Sequence, residues 1–165
     1  MSINTTTNIY GSTVTYFLGL FRSSLTDVAS PSAIGSFDNA RLNTTSWVVS
    51  AFPQPKKYGN FPGYPLVIVK SPDVNESNIT LNQTKQNLGR LTIQILDKAS
   101  SPVNVDNIAG QIKYVMINNQ TSINSIGICG INLVGAVQSD MVGGDDTIVK
   151  TMDYDIIYRN LEGYV

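Results

Sequence analysis

Apolar residues recur between residues 12 and 29 at the spacing of one helix face. The recurring residues are Val14, Phe17, Leu18, Phe21, Leu25 and Val28. Positions i, i+3, i+4 and i+7 lie on one side of a helix, so these residues form one stripe. Ser12 or Thr13 is suited to cap the first turn, and Pro31 follows the last. The pattern predicts an amphipathic helix over residues 12–29, with its stripe in the core.

Two short apolar runs follow, and each is typical of a strand. WVVSAF at 47–52 ends at Pro53, and PLVIVKSP at 65–72 is almost continuously apolar. A continuous apolar run favours burial on both faces of a sheet. The polar sequence at 73–89 predicts a connection, with room for a short irregular strand.

The segment RLTIQILD at 90–97 alternates between apolar and polar positions. Leu91, Ile93 and Ile95 share one predicted face, whereas Thr92 and Gln94 share the other. Side chains on a strand point alternately to opposite faces. The alternation therefore predicts a strand with one face in the core.

A second helical stripe follows a break at SSP, residues 100–102. Its apolar members are Val105, Ile108, Ala109, Ile112, Val115 and Met116. Asn104 is suited to the N-cap position, and Asp106 falls in the first turn, where a negative charge suits the helix dipole. The helix is predicted to end near the polar tract 118–120.

The last third of the chain has the pattern of a long β-hairpin. SIGICGINLVGAVQSDM forms one arm, TIVKTMDYDIIYRN forms the other, and GGDD between them has the composition of a turn. The second arm predicts one face that consists of Ile148, Lys150, Met152, Tyr154, Ile156 and Tyr158. Asp153, Asp155 and Arg159 mark the opposite, more solvated face.

These elements predict an α+β fold. A mostly antiparallel sheet carries two amphipathic helices packed on one face, in a single domain over residues 12–165. A length of 165 residues suits one domain with a sizeable core. Residues 1–11 carry almost no charge and many Thr and Asn residues, which predicts a flexible or extended N-terminal arm.

Composition argues against several functions. The net charge is −1, and the only adjacent basic pair is Lys56-Lys57, whereas nucleic-acid binding favours a basic patch. The chain has no histidine, the usual base of a catalytic triad and the commonest zinc ligand. We expect no signal peptide and no membrane span, because no apolar run is long enough. Cys129, the single cysteine, lies in an apolar run and is predicted to be buried and inert.

Carboxylates near the hairpin are the remaining candidates for chemistry. Asp140, Asp145, Asp146 and Asp153 crowd the hairpin, and oxygen ligands could hold a divalent cation. Asp153 and Asp155 would stand about 6.5 Å apart on one strand face, and paired carboxylates can hydrolyse glycosides. A solvated hairpin tip and a solvated strand face are the commoner interpretations. We therefore predict no catalytic residue, no metal and no cofactor.

The order of elements resembles the tail terminator (tail completion) proteins of long-tailed phages and related archaeal tailed viruses. The similarity covers about residues 12–160. It comprises the first helix, strands that end in the Pro/Gly/aromatic loop KKYGNFPGYP, the LTIQILD strand, the VNVDNIAGQIKYVM helix and a strand pair that ends in YDIIYR. The resemblance implies an α+β subunit of a hexameric ring that caps the tail tube, ends tail polymerisation and forms the head–tail joining surface. Proteins of this family have no catalytic residues.

The resemblance also implies partners and a location. The partners are further copies of the chain, the tail tube protein and a neck or head–tail connector protein, while DNA passes through without specific binding. The chain would be made in the host cytoplasm and end in the virion, at the tail–neck junction. The expected contact residues are Lys56, Lys57, Tyr58, Phe61, Tyr64, Gly143, Gly144, Asp145 and Asp146. A neck adaptor of related fold and a small carboxylate-based hydrolase remain as alternatives.

Overall fold

A computed structural model of the protein describes residues 9–25, 47–52, 64–78, 85–98, 102–140 and 147–158. The elements in these ranges are α1 (Ile9–Ser24), β1 (Val48–Val49), β2 (Leu66–Val69), β3 (Asp73–Asn78), β4 (Lys85–Lys98), α2 (Val103–Asn118), α3 (Gln120–Ser125), β5 (Ile128–Asp140) and β6 (Thr147–Tyr158). The predicted α+β class is confirmed.

The described strands form one sheet in the order β1-β2-β4-β6-β5. β4 is its centre. One side of β4 pairs with β2 along its second half and with β3 along its first half, and the other side pairs with β6. β1 and β2 pair in parallel, while the other described pairs are antiparallel. The sheet is therefore mostly antiparallel, as predicted.

The main core lies between the sheet and the helices. α2 packs over β4 and β6, and α1 lies beside it over β1 and β2. Leu91, Ile93 and Ile95 are buried beneath the helices, which confirms the predicted face of β4. The buried residues of α2 are the six predicted for its stripe, namely Val105, Ile108, Ala109, Ile112, Val115 and Met116.

The start of α1 differs from the prediction. The helix begins at Ile9, so residues 9–11 of the predicted arm are helical. Ser12 and Thr13 are buried inside the helix and do not cap it. Thr13 shares a buried hydrogen bond of 3.0 Å with the Tyr158 hydroxyl, and this packing against β6 explains why the helix extends past the polar pair. The helix ends at Ser24, whereas residues 26–29 and 1–8 lie outside the described ranges.

The strand predictions were wrong in extent. β1 has two residues instead of the six predicted at 47–52. The polar segment at 73–89 was predicted to be mainly a connection, but it contains β3 and the first residues of β4, which pair from Asp73↔Arg90 to Asn78↔Lys85. Backbone pairing does not require apolar side chains, so hydrophobic periodicity alone does not detect such strands.

The predicted N-cap of α2 was also wrong. Pro102 occupies the N-cap position, and the Asn104 side chain instead donates a hydrogen bond of 2.8 Å to the buried Asp97 carboxylate. The short helix α3 follows α2 directly and was not predicted.

Cys129 is exposed rather than buried, because β5 changes register between residues 128 and 130. Its thiol donates to the Ile157 carbonyl at 3.3 Å.

Candidate interaction surface

Of the nine predicted contact residues, Tyr64 lies in the described part of the chain. It is half-buried against a second apolar cluster on the other face of the sheet, formed by Leu66, Ile68, Leu96 and Val149. The Lys98 ammonium lies 5.8 Å from the centre of the Tyr64 ring. The other predicted contacts lie outside the described residues and stay predictions: Lys56, Lys57, Tyr58, Phe61, Gly143, Gly144, Asp145 and Asp146.

The hairpin carboxylates have partners across the strands. Thr92 donates a hydrogen bond of 2.6 Å to Asp153, and Arg90 forms an ion pair of 3.1 Å with Asp155. Arg90 and Asp155 are both about half exposed, so this ion pair contributes little stability. No group of three or more potential metal ligands occurs among the described residues, which do not include Asp145 and Asp146. Cross-strand pairing therefore accounts for both strand carboxylates.

Two buried tyrosines lie on the helix-side face of β6. Burial raises the pKa of Tyr154 and that of Tyr158 to about 12. The Tyr158 hydroxyl bonds to Thr13, and this bond partly opposes the effect of burial on its pKa. The Tyr154 hydroxyl is also buried but has no hydrogen-bond partner among the described residues. The two tyrosines lie on the same face of β6, but only the Tyr158 hydroxyl has a hydrogen-bond partner among the described residues.

β5 is the outermost strand at one side of the sheet. One edge pairs with β6, and its outer edge pairs with no other described strand. Register changes lie at Cys129 and Val134, whereas Gly135 to Asp140 pairs regularly with β6. Proteins usually protect a long outer edge with charge, proline or bulges. The first half of β5 has bulges, but residues 128–139 contain neither charge nor proline.

Large apolar side chains are exposed along this strand. Val137 is 68% exposed, Val134 is 52% exposed and Leu133 is 38% exposed. α2 covers β4 and β6, and α3 contacts β5, but most side chains of β5 beyond Ile131 remain exposed. The helix layer is thus narrower than the sheet.

The outer side of α2, opposite its buried stripe, is also apolar. Val103, Tyr114 and Ile117 are 62%, 71% and 56% exposed. Spacings of 11 and 14 residues place all three on one side of the helix. Asn107 and Gly110 lie between them on that side, so the stripe carries no charge. A solvated helix face normally carries charged residues.

A cleft joins the exposed parts of α2 and β5. It has a volume of about 210 Å³, and both Ile117 and Leu133 line it. Tyr154 and Met116 contribute to its wall, with Lys113 and Gln120 among its polar residues. We call the two exposed apolar residues that this cleft joins, Ile117 and Leu133, the β5–α2 surface. Val137 pairs with Thr151, whereas Leu133 pairs with Tyr154, so Val137 lies on the opposite face of the sheet.

The sequence contained a signal for this surface that periodicity did not use. Between residues 128 and 139 apolar residues occur at both odd and even positions, without any charge. The pattern of this run predicts one arm of a hairpin and nothing about its place in the sheet. Its position at the outer side of the sheet follows from the strand order, in which β6 lies between β5 and β4.

No helix among the described residues has the length and hydropathy to cross a membrane.

Neither a protein-family model nor a curated protein matches the chain. A solved structure titled "Virion of native gene transfer agent (GTA) particle" contains a chain with 11% sequence identity to this one. The match covers 87% of this chain and 94% of the other, with a TM-score of 0.48. A likeness at this level carries no argument about fold or function.

Proposed function

We propose that the chain is a structural subunit of a tailed virus, a tail terminator that forms a ring at the end of the tail tube. The β5–α2 surface carries the proposal. Single exposed apolar residues are ordinary on a protein surface, but exposed apolar residues of two elements that line one cleft are typical of a site of protein–protein contact. A subunit whose role is assembly requires such a surface.

The order of elements also supports this role. The amphipathic first helix, the strand at 90–97, the second helix and the C-terminal strand pair carry the resemblance to tail terminators, and α1, β4, α2, β5 and β6 correspond to them. The two carboxylates that could suggest hydrolysis, those of Asp153 and Asp155, have cross-strand partners. The proposed role therefore depends on contacts with other proteins and assigns no catalytic residue.

The charge of the chain suits a ring through which DNA passes. The net charge is −1 over 165 residues. A basic lining would hold DNA by releasing its counterions, which would oppose passage. In the proposed ring, loops 53–64 and 143–146 are contact elements toward the tail tube or the connector.

The oligomeric state tests this proposal. The purified chain would be measured by light scattering, alone and with purified tail tube protein, and large species would be imaged by negative stain. We expect a ring of about six subunits, either alone or on the end of the tube. A matched sample with the connector protein separates the main alternative, because a neck adaptor would assemble with the connector and leave the tube end uncapped.

A second readout is the length of the tail tube. Tube protein that polymerises in the presence of the chain should stop growing, whereas tubes without it should continue. A chain that stays monomeric with both tube and connector protein, and leaves tube length unchanged, would contradict the proposed function.

A further inference from the structure

We infer that the cleft between α2 and β5 binds a carboxylate group that is carried on a small apolar body. The carboxylate would accept a hydrogen bond from the Tyr154 hydroxyl and pair with the Lys113 ammonium, while the apolar body would lie between Ile117 and Leu133. The inference goes beyond the proposed function, because it assigns a ligand to the cleft and requires no ring.

An unpaired hydroxyl indicates that the ligand of this cleft is polar. Tyr154 forms part of the cleft wall. Its side chain is 3% exposed, and its hydroxyl has no hydrogen-bond partner among the described residues. A buried hydroxyl without a partner costs free energy, and a ligand that pairs with it removes this cost. An apolar ligand would leave the hydroxyl unpaired, so the cleft favours a ligand with a hydrogen-bonding group.

The protonation state of this hydroxyl favours an acceptor. Burial raises the pKa of Tyr154 to about 12, so the hydroxyl keeps its proton at neutral pH and can donate it to a hydrogen bond. A hydrogen bond to an ionised acceptor is roughly twice as strong as one between neutral groups. Among possible acceptors, a carboxylate therefore gains most from the Tyr154 hydroxyl.

The charge of the cleft favours the same ligand. Among the described residues that line the cleft, Lys113 is the one that carries a charge. Lys113 is exposed and forms no ion pair with another described residue. Asp106, the acidic residue of the same helix, pairs with Lys150 instead. An anion in the cleft would therefore meet a positive charge that no described carboxylate neutralises.

The volume of the cleft limits the size of the ligand. Met116, Ile117, Ile131 and Leu133 provide apolar walls around about 210 Å³. An apolar cavity of about 150 Å³ holds one benzene molecule. The remaining volume equals about two water molecules in the liquid, at about 30 Å³ each, which suits the two oxygens of a carboxylate. Benzoate therefore matches the cleft in size and chemistry.

Titration of the purified chain with benzoate at pH 7 and constant ionic strength tests the inference. Two-dimensional NMR spectra would follow the shifts of residues around the cleft. Benzamide is the matched neutral probe, because it keeps the ring and a carbonyl acceptor but carries no charge. We expect a dissociation constant of about 1 mM for benzoate and one about fivefold higher for benzamide.

Two variants with matched controls identify the contacts. Tyr154→Phe removes the hydroxyl and retains the ring, and the fold should persist because the hydroxyl has no partner among the described residues. Its control is Tyr114→Phe, at an exposed position of the same helix that lines the cleft. Lys113→Gln removes the charge, and its control is Lys70→Gln, at an exposed lysine directly after β2. Circular dichroism checks that each variant is folded.

We expect the dissociation constant of benzoate to rise about tenfold in Tyr154→Phe and about fivefold in Lys113→Gln. Both control variants should stay within about twofold of the wild type. The inference is overturned if benzoate shows no saturable binding up to about 20 mM, or if Tyr154→Phe binds it as the wild type does. Equal affinities for benzoate and benzamide, or an unchanged affinity in Lys113→Gln, would overturn the assignment of a carboxylate.

A further titration distinguishes two sources of the carboxylate. Glutamate with both backbone ends capped presents its side chain as a partner protein would, whereas benzoate represents a free acid. Tighter binding of capped glutamate than of benzoate would identify a protein side chain as the ligand. Tighter binding of benzoate would identify a small free acid. Both results support a carboxylate site in the cleft.

The outcome is separable from that of the proposed function. A chain that binds benzoate through Tyr154 and Lys113, but forms no ring and leaves the tail tube uncapped, would support this site and contradict the terminator role. A chain that forms rings and caps the tube without binding benzoate would overturn this inference and leave the terminator role intact.

Discussion

A single hydrogen bond distinguishes two tyrosines that lie four residues apart on β6. Tyr154 and Tyr158 are both at most 3% exposed, but of the two hydroxyls only that of Tyr158 has a hydrogen-bond partner among the described residues, Thr13. A buried hydroxyl without a partner costs free energy, whereas a paired one contributes a modest net stabilisation. Two tyrosines on the same face of β6 therefore contribute differently to the free energy of unfolding.

Removing either partner of the Thr13–Tyr158 bond should destabilise the protein. We expect Thr13→Val and Tyr158→Phe each to lower the free energy of unfolding by about 1–2 kcal/mol, because each removes a buried hydrogen bond. The double variant should lose clearly less than the sum of the two. Urea denaturation of the four proteins measures this cycle, and strictly additive losses would contradict the bond.

Gly89 is required by the position of the Tyr158 ring. A Cβ atom at Gly89 would lie 2.8 Å from Cε2 of that ring, whose hydroxyl is held by Thr13. We expect Gly89→Ala to lower the free energy of unfolding by about 1–3 kcal/mol through overpacking.

The matched control is Gly110→Ala, at an exposed position of α2 where a Cβ meets no atom within 4 Å. Alanine is favoured over glycine in a helix, so this change should stabilise by up to about 1 kcal/mol. Thermal unfolding of both variants gives the comparison. Equal effects of the two substitutions would show that the Tyr158 ring does not constrain residue 89.

Among the elements, two polar contacts attach the start of α2 to the sheet. Asp97 near the end of β4 is 6% exposed, and the Asn104 amide donates to its carboxylate. Lys150 on β6 also pairs with Asp106 in the first turn of α2. The start of the helix is thus attached to two neighbouring strands by side chains rather than by a cap.

We expect Asn104→Ala to lower the free energy of unfolding by about 1–3 kcal/mol, because the buried Asp97 carboxylate loses a hydrogen bond. Asn107→Ala is the control, since residue 107 is exposed on the same helix and alanine favours the helix. Chemical denaturation distinguishes the two variants. If Asn104→Ala is as stable as Asn107→Ala, then the contact with Asp97 contributes nothing.

At the scale of the whole molecule, alkaline pH should unfold the protein. The pKa values of Tyr154 and Tyr158 are about 12 in the fold, against 10 for an ordinary tyrosine. Between pH 10 and 12 the unfolded chain loses these protons while the folded chain keeps them. The contribution of the two tyrosines to the free energy of unfolding is therefore complete below pH 10 and is lost as pH rises from 10 to 12. Each tyrosine accounts for roughly 2–3 kcal/mol over that range.

Urea midpoints between pH 8 and 12 measure this loss. Tyr154→Phe should show a flatter decline than the wild type, because one raised pKa is removed. Tyr114→Phe is the control, because it removes a hydroxyl from a side chain that is 71% exposed. Identical slopes for Tyr154→Phe and the wild type would contradict a role for Tyr154 in the alkaline transition.

The amino-acid pattern alone was enough to predict the class of fold and most of the core. The period of 3.6 identified the buried stripe of α2 residue by residue, and the period of 2 identified the inner faces of β4 and β6. These periods follow from local backbone geometry, so they are readable without the tertiary structure. Where pairing rather than burial forms a strand, as in β3, the hydrophobic pattern gave no signal.

Which apolar residues remain uncovered depends on how the elements pack in three dimensions. The hairpin pattern placed Leu133, Val134 and Val137 on a strand but did not reveal that β5 is outermost or that the helices cover β4 and β6 instead. The hydrogen bond between Thr13 and Tyr158 joins residues 145 positions apart in the chain. Exposure and long-range pairing depend on how layers stack, which no local spacing encodes.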